Sequence, residues 1–107
     1  HRITSEAVLT ACRPLPGATV RAVYAFETVS STEWALAAPV TGFQPTHFVD
    51  VIAYLQKKRA ALACYDTEMR AFPHARSIEA LDALARWRGA SVGREAAEAF
   101  MLLREVR

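Results

Sequence analysis

The sequence predicts an α/β protein, and three observations carry that expectation. Segments with apolar residues at helical spacing alternate with short segments rich in β-branched and aromatic residues. Pro and Gly separate the first helix from the first strand. The resulting order is helix, strand, loop, strand, helix, helix and an apolar tail, which is the alternation of α/β architecture.

Residues 2–12 place Ile3, Ala7, Val8 and Ala11 at helical spacing, and Pro14, Pro16 and Gly17 end that helix. Residues 19–26 hold Val20, Val23, Tyr24 and Phe26 and predict a strand. Residues 28–44 predict a long irregular segment, a length that marks function or mobility inside a compact domain. Residues 46–50 predict a second strand, with Asp50 placed to cap the next helix. That helix is expected over 51–68, with Val51, Leu55, Leu62, Tyr65 and Met69 facing the core.

A proline-anchored loop over 70–76 carries His74 and Arg76. Ser77 is the expected N-cap of the following helix, Glu79 suits its first turn, and Leu81, Leu84 and Ala85 form its buried stripe. Trp87 is expected in the core or at an interface, and Gly89 is expected to close the helix in a left-handed conformation. The tail is open on propensity. Residues 96–103 have helical composition, yet Phe100, Leu102 and Val106 alternate with Met101 and Leu103 as in a buried strand. Three strands leave two open edges, which another segment or another chain must cover.

At 107 residues the chain is one domain at most. Hydrophobic residues at 52% and charged ones at 22% give a globular balance, which excludes an intrinsically disordered chain. A formal charge of +2, spread along the chain, is too small for a nucleic-acid partner; the one basic run, Lys57-Lys58-Arg59, lies inside a helical pattern. Cys12 and Cys64 are expected as buried free thiols, with a disulfide left open by spacing alone. No apolar run reaches the roughly 18 residues that span a bilayer. No signal peptide is visible, although a chain that begins within a domain does not show one. A soluble, cytoplasmic protein is expected.

Several short segments stand out in order. They are His1-Arg2-Ile3-Thr4-Ser5-Glu6, Tyr24-Ala25-Phe26-Glu27, Ser30-Ser31-Thr32-Glu33-Trp34 and Phe48-Val49-Asp50. Pro73-His74-Ala75-Arg76-Ser77, Ala85-Arg86-Trp87-Arg88-Gly89 and Ala97-Glu98-Ala99-Phe100 follow. Each is weak alone; in this order they resemble the C-terminal half of the LmbE/PIG-L family of zinc-dependent N-deacetylases, over essentially the whole chain. His1 matches the last His of the family's His-Pro-Asp-His segment. The 73–77 loop matches Pro-His-Pro-Arg-Ser, with Ala75 where a Pro is usual.

The resemblance implies a Rossmann-like, mostly parallel sheet flanked by helices, with metal-site loops at its strand ends. It implies a strand over 99–106. It makes residues 1–107 the C-terminal portion of a single deacetylase domain. His1 is then a zinc ligand. The family's Pro-His-Pro-Asp-Asp-Glu segment, which supplies two more ligands and a general base, is absent, and so is the first His of His-Pro-Asp-His, which assists at the oxyanion. Zinc hydrolysis needs three protein ligands and an open position for water. The fragment is therefore expected to carry no catalytic residue of its own and to be inactive alone.

By the same resemblance the substrate is an N-acetylated amino sugar of the N-acetylglucosamine type, or a conjugate, and homo-oligomers are expected. His74 and Arg76 are placed at the sugar pocket or at a subunit contact beside it; the alternative for Arg76 is a pair with Glu79 or a helix-end contact. Glu27 and Glu33, with Ser30 between them, are placed to contact the substrate or to orient a ligand, a solvated loop being the alternative. Trp34 is placed to pack under its loop rather than to stack on a sugar, and His47 is structural. Two other classes stay open: a non-catalytic association module that reuses the half-fold, and an independent sugar-binding domain.

Overall fold

A computed structural model describes residues 1–35 and 42–107. It contains α1 (Arg2–Ala11), β1 (Ala22–Phe26), β2 (His47–Asp50), a 3-10 turn (Ile52–Tyr54), α2 (Leu55–Ala63), α3 (Ile78–Ala90) and β3 (Ala97–Glu105). Part of the irregular segment expected over 28–44 lies outside the described residues.

The three strands form one antiparallel sheet in the order β1-β3-β2. This corrects the expectation of a Rossmann-like, mostly parallel sheet. The reason lies in the connection to the last strand. One helix between two strands returns the chain to the starting end and makes a parallel pair. Here two helices, α2 and α3, lie between β2 and β3. The second helix carries the chain back to the end where β2 stopped, so Ala97, the first residue of β3, pairs with Asp50, the last of β2. β3 then runs between its neighbours, against both. Phe26 and His47 both pair with Phe100, so the end of β1 and the start of β2 lie abreast across one β3 residue.

Residues opposite one another in an antiparallel pair share a face. Phe26, Phe100 and His47 are therefore on one face, two residues along from Tyr24 and Leu102. Their rings touch: the Tyr24 and His47 centroids are 5.1 Å apart and those of His47 and Phe100 6.3 Å. The other face carries Ala25, Phe48, Ala97, Ala99 and Met101, of which Ala97 and Ala99 are buried.

The core is built of small residues. Leu55, Ala85 and Ala96 are buried together, with Val51 packed against them. Gly89 explains how α3 comes so close to the start of β3. A Cβ on Gly89 would stand 2.7 Å from the Ala96 Cα and backbone N, so only glycine fits. This corrects the expectation that Gly89 closes the helix in a left-handed conformation. α3 runs on to Ala90, and the positive φ, +71°, falls at Gly93 in the turn to β3.

Other elements differ in extent or burial. The helix expected over 51–68 is a 3-10 turn followed by α2, which stops at Ala63. Asp50 Oδ1 accepts the Ile52 N–H at 3.1 Å, a local turn bond that favours the tight first turn. Tyr65, expected in the core, is exposed beyond the helix end, and Trp87 is 67% exposed. Cys64 is exposed and Cys12 only partly buried, where both were expected buried, and both cysteines are free. No residue of α1 is buried, and its Val8 and Leu9 stay 48% and 47% exposed. Ser77 caps α3 as expected, its Oγ accepting the Ala80 N–H at 3.1 Å.

Candidate functional site

The chain leaves β1 into a tight turn that the Ser-Ser-Thr-Glu-Trp segment builds from its own polar groups. The Thr28 carbonyl accepts the Ser31 and Thr32 N–H groups at 3.0 and 2.8 Å. Thr32 Oγ1 accepts the Thr28 N–H at 2.7 Å, and Glu33 accepts the Ser30 N–H. Ser30 sits at φ +62° and is buried. A left-handed residue that is not glycine carries a steric cost, which its surroundings must offset.

The second loop singled out in the sequence meets this turn. Arg76 Nε donates to Ser30 Oγ at 2.7 Å across 46 positions. Its Nη1 donates to Glu68. The Arg76 N–H donates to His74 Nδ1 at 3.0 Å, which fixes the imidazole beside the guanidinium's own backbone. The Trp34 and His74 rings meet edge to face at 5.6 Å. Trp34 is 58% exposed, so its contact with the loop is partial.

Glu27 ends β1 in a different partnership. Both of its oxygens accept from Arg88 of α3, at 2.8 and 2.7 Å, in the bidentate geometry that suits guanidinium and carboxylate. Arg88 also lies over the Phe43 ring, 5.5 Å from its centroid. The hydrogen bonds to Glu27 raise the Arg88 guanidinium above its already high ordinary value, against the lowering effect of burial.

Two cavities flank the turn. One, of about 700 Å³, is lined by His1 and Ser5 from the start of the chain, Phe26 from β1, Ser30 and Trp34 from the turn, and Leu103 from β3. The other, of about 420 Å³, is lined by Glu27, Thr32, Glu33, Phe43, Ala75 and Arg88. Of the residues predicted from sequence, His1 therefore reaches the first cavity and Glu27 and Glu33 the second. Arg76 and His74 hold the turn between them. Arg76 pairs with Ser30 and Glu68, and not with Glu79.

Sequence reasoning missed Arg88 and Glu68. Arg88 stood in view within the Ala85-to-Gly89 segment, but a partner 61 positions away leaves no local signal. Among the described residues no group of three His, Cys, Asp or Glu side chains comes close enough to hold a metal ion. Zinc takes three protein ligands, so the single imidazole of His1 does not by itself fit the ion. No helix among the described residues is long and apolar enough to cross a membrane. Comparison of the chain with protein-family models, with curated proteins and with solved structures finds no match.

Proposed function

We propose that this chain is the C-terminal portion of a zinc-dependent N-deacetylase acting on an N-acetylated amino sugar of the N-acetylglucosamine type, or on its conjugate. The supporting observation is the cavity of about 700 Å³ that His1 and the 30–34 turn both line. That volume suits a small ligand. Its lining sets the exposed ring of Trp34 and the hydroxyls of Ser5 and Thr28 among apolar side chains that include Val8, Leu9, Val23 and Leu103. A pyranose offers the matching surfaces, an apolar C–H face for the ring and a rim of hydroxyls for Ser and Thr.

In this reading the chain's own residues seat the sugar and narrow its access to water. His1 is one corner of a metal site whose other donors come from outside these 107 residues. No chemical step is assigned to these residues alone. The reading includes a cytoplasmic homo-oligomer.

The association module has an observation in its favour as well: β1 and β2 are the edges of the described sheet, and Phe26 is 69% exposed on its aromatic face. One experiment separates the readings. Acetate release from N-acetylglucosamine is measured, with zinc, for the chain alone and for the chain joined to residues encoded ahead of His1. The hydrolase reading expects release only from the longer polypeptide, lost in H1A. Sugar affinity that ignores zinc, with no release from either, would replace it by a binding domain. Self-association with neither sugar affinity nor release would replace it by the association module.

A further inference from the structure

We propose that Arg76 and Ser30 form a latch that holds the 30–34 turn, and Trp34 with it, against the large cavity, with Arg76 acting as a positioning residue through Ser30. The proposal goes beyond the hydrolase reading and stands whether or not the cavity takes a sugar. Ser30 is the one described residue other than glycine with a positive φ. The turn's backbone bonds to Thr28 do not require that conformation to be occupied by a residue with a hydroxyl; a glycine would hold it at lower steric cost. The hydroxyl is what the guanidinium of Arg76 engages, at 2.7 Å. Ser30 is buried at that contact.

Arg76 is held in turn from two sides. Glu68 accepts from Nη1, and His74 Nδ1 accepts its backbone N–H. A further backbone bond runs from the Arg70 N–H to the Arg76 carbonyl, at 3.2 Å. The 73–77 loop is thereby anchored at the N-terminus of α3, where Ser77 is fully buried. The 30–34 turn has no such helix of its own. Its position over the cavity is set by the Arg76–Ser30 bond and by the edge contact of Trp34 with His74. Arginine's planar fork meets Ser30 and Glu68 with separate nitrogens at fixed angles, which lysine's single ammonium does not reproduce.

The test uses the chain carrying W87F, so that Trp34 is the only tryptophan. Two readouts are taken: Trp34 emission with acrylamide quenching, and amide hydrogen exchange at Ser31 and Thr32. R76Q and S30A are each expected to speed exchange at those amides about tenfold, the factor set by losing a charge-assisted hydrogen bond. Both should also make Trp34 more quenchable, and the R76Q/S30A double variant should go no further than either alone. S30G is the control for strain. It relieves the positive φ but lacks the hydroxyl, so it should free Trp34 while the chain keeps its urea midpoint. R76K should fail to rescue. E68Q, at an exposed position, loosens Arg76 without touching the turn and should give a smaller change of the same sign. Unchanged Trp34 quenching and exchange in R76Q and E68Q, with circular dichroism retained, would overturn the latch. So would additive effects of R76Q and S30A.

Discussion

Glu27 and Arg88 are joined by two parallel hydrogen bonds, and that pair fastens the end of the edge strand β1 to the last turn of α3. Their side chains are only 17% and 20% exposed, so each is poorly hydrated without the other. Arg88→Ala leaves a half-buried carboxylate with no counter-charge and is expected to cost about 2 kcal/mol, below the range for fully buried pairs because water still reaches this one. Arg88→Lys keeps the charge but loses the fork, and should recover less than half of that. Urea unfolding of the two variants measures both values.

The same pair fixes a pH response. The folded-state value of Arg88 is raised, chiefly by its hydrogen bonds to Glu27. A raised basic group contributes stability that is fully present below its unfolded-state value and lost as pH rises through the folded one. Arg88's share is therefore flat from neutral pH upward and disappears only in strong alkali. Thermal melts across the alkaline range should show wild type converging on Arg88→Ala only there. Convergence near neutral pH would mean that the pair is not the source of the difference.

Gly89 and Gly93 look alike in sequence and do different work. Gly89→Ala drives a methyl to within 2.7 Å of the Ala96 backbone, which has nowhere to yield. It should cost about 2–3 kcal/mol, as overpacking does. Gly93→Ala meets nothing within 4 Å, but its φ is +71°. The strain alone should cost about 1 kcal/mol. Denaturant midpoints of the two variants give the order. A larger loss at Gly93 would mean that α3 does not approach β3 as closely as described.

These glycines show where the sequence was legible and where it was not. Local signals were read correctly: the Ser77 cap, the start of α1 and both short early strands depend on neighbours a few residues away, whereas the tail was open on propensity and its strand was expected only from the resemblance. The direction of the sheet was not local. It turned on α2 and α3 both lying between β2 and β3, while the expectation of a mostly parallel sheet came from the family resemblance. Gly89 was read through its position near a helix end, when its partner is Ala96 across a turn. At the site, the loops bearing Ser30, His74 and Arg76 stood out in the sequence as separate segments, and the fold brings them together. Who pairs with whom was hidden, because Arg76 finds Ser30 and Arg88 finds Glu27 over 46 and 61 positions.

Ser77 joins the 73–77 loop to α3 and is fully buried. Its Oγ satisfies the Ala80 N–H, which water cannot reach if the hydroxyl is lost. Ser77→Ala is expected to destabilise by about 1–2 kcal/mol, the upper part of the range for N-caps. Ser77→Thr should recover much of the bond, with a penalty for the added methyl in a filled space. Because the same loop carries Arg76, Ser77→Ala should also speed exchange at the Arg76 amide, which a remote loss of stability would not do selectively.

The aromatic face of the sheet makes the last prediction. Tyr24, Phe26 and Leu102 share that face and remain 39%, 69% and 39% exposed. Apolar surface already in water contributes little to folding, so Phe26→Glu should shift the unfolding free energy by no more than about 0.5 kcal/mol. Its effect should appear between molecules instead. Exposed aromatic side chains on an open edge strand favour contact with another chain. Sedimentation of wild type should show mass rising with concentration, and Phe26→Glu should move it toward the monomer and lower the binding of a hydrophobic dye. Val49, on the same face at the other edge and 43% exposed, gives the second site: Val49→Lys should add to the effect. A Phe26→Glu chain that unfolds outright would place that ring inside a core, and a wild type that stays monomeric at every concentration would leave the face without the partner that its composition calls for.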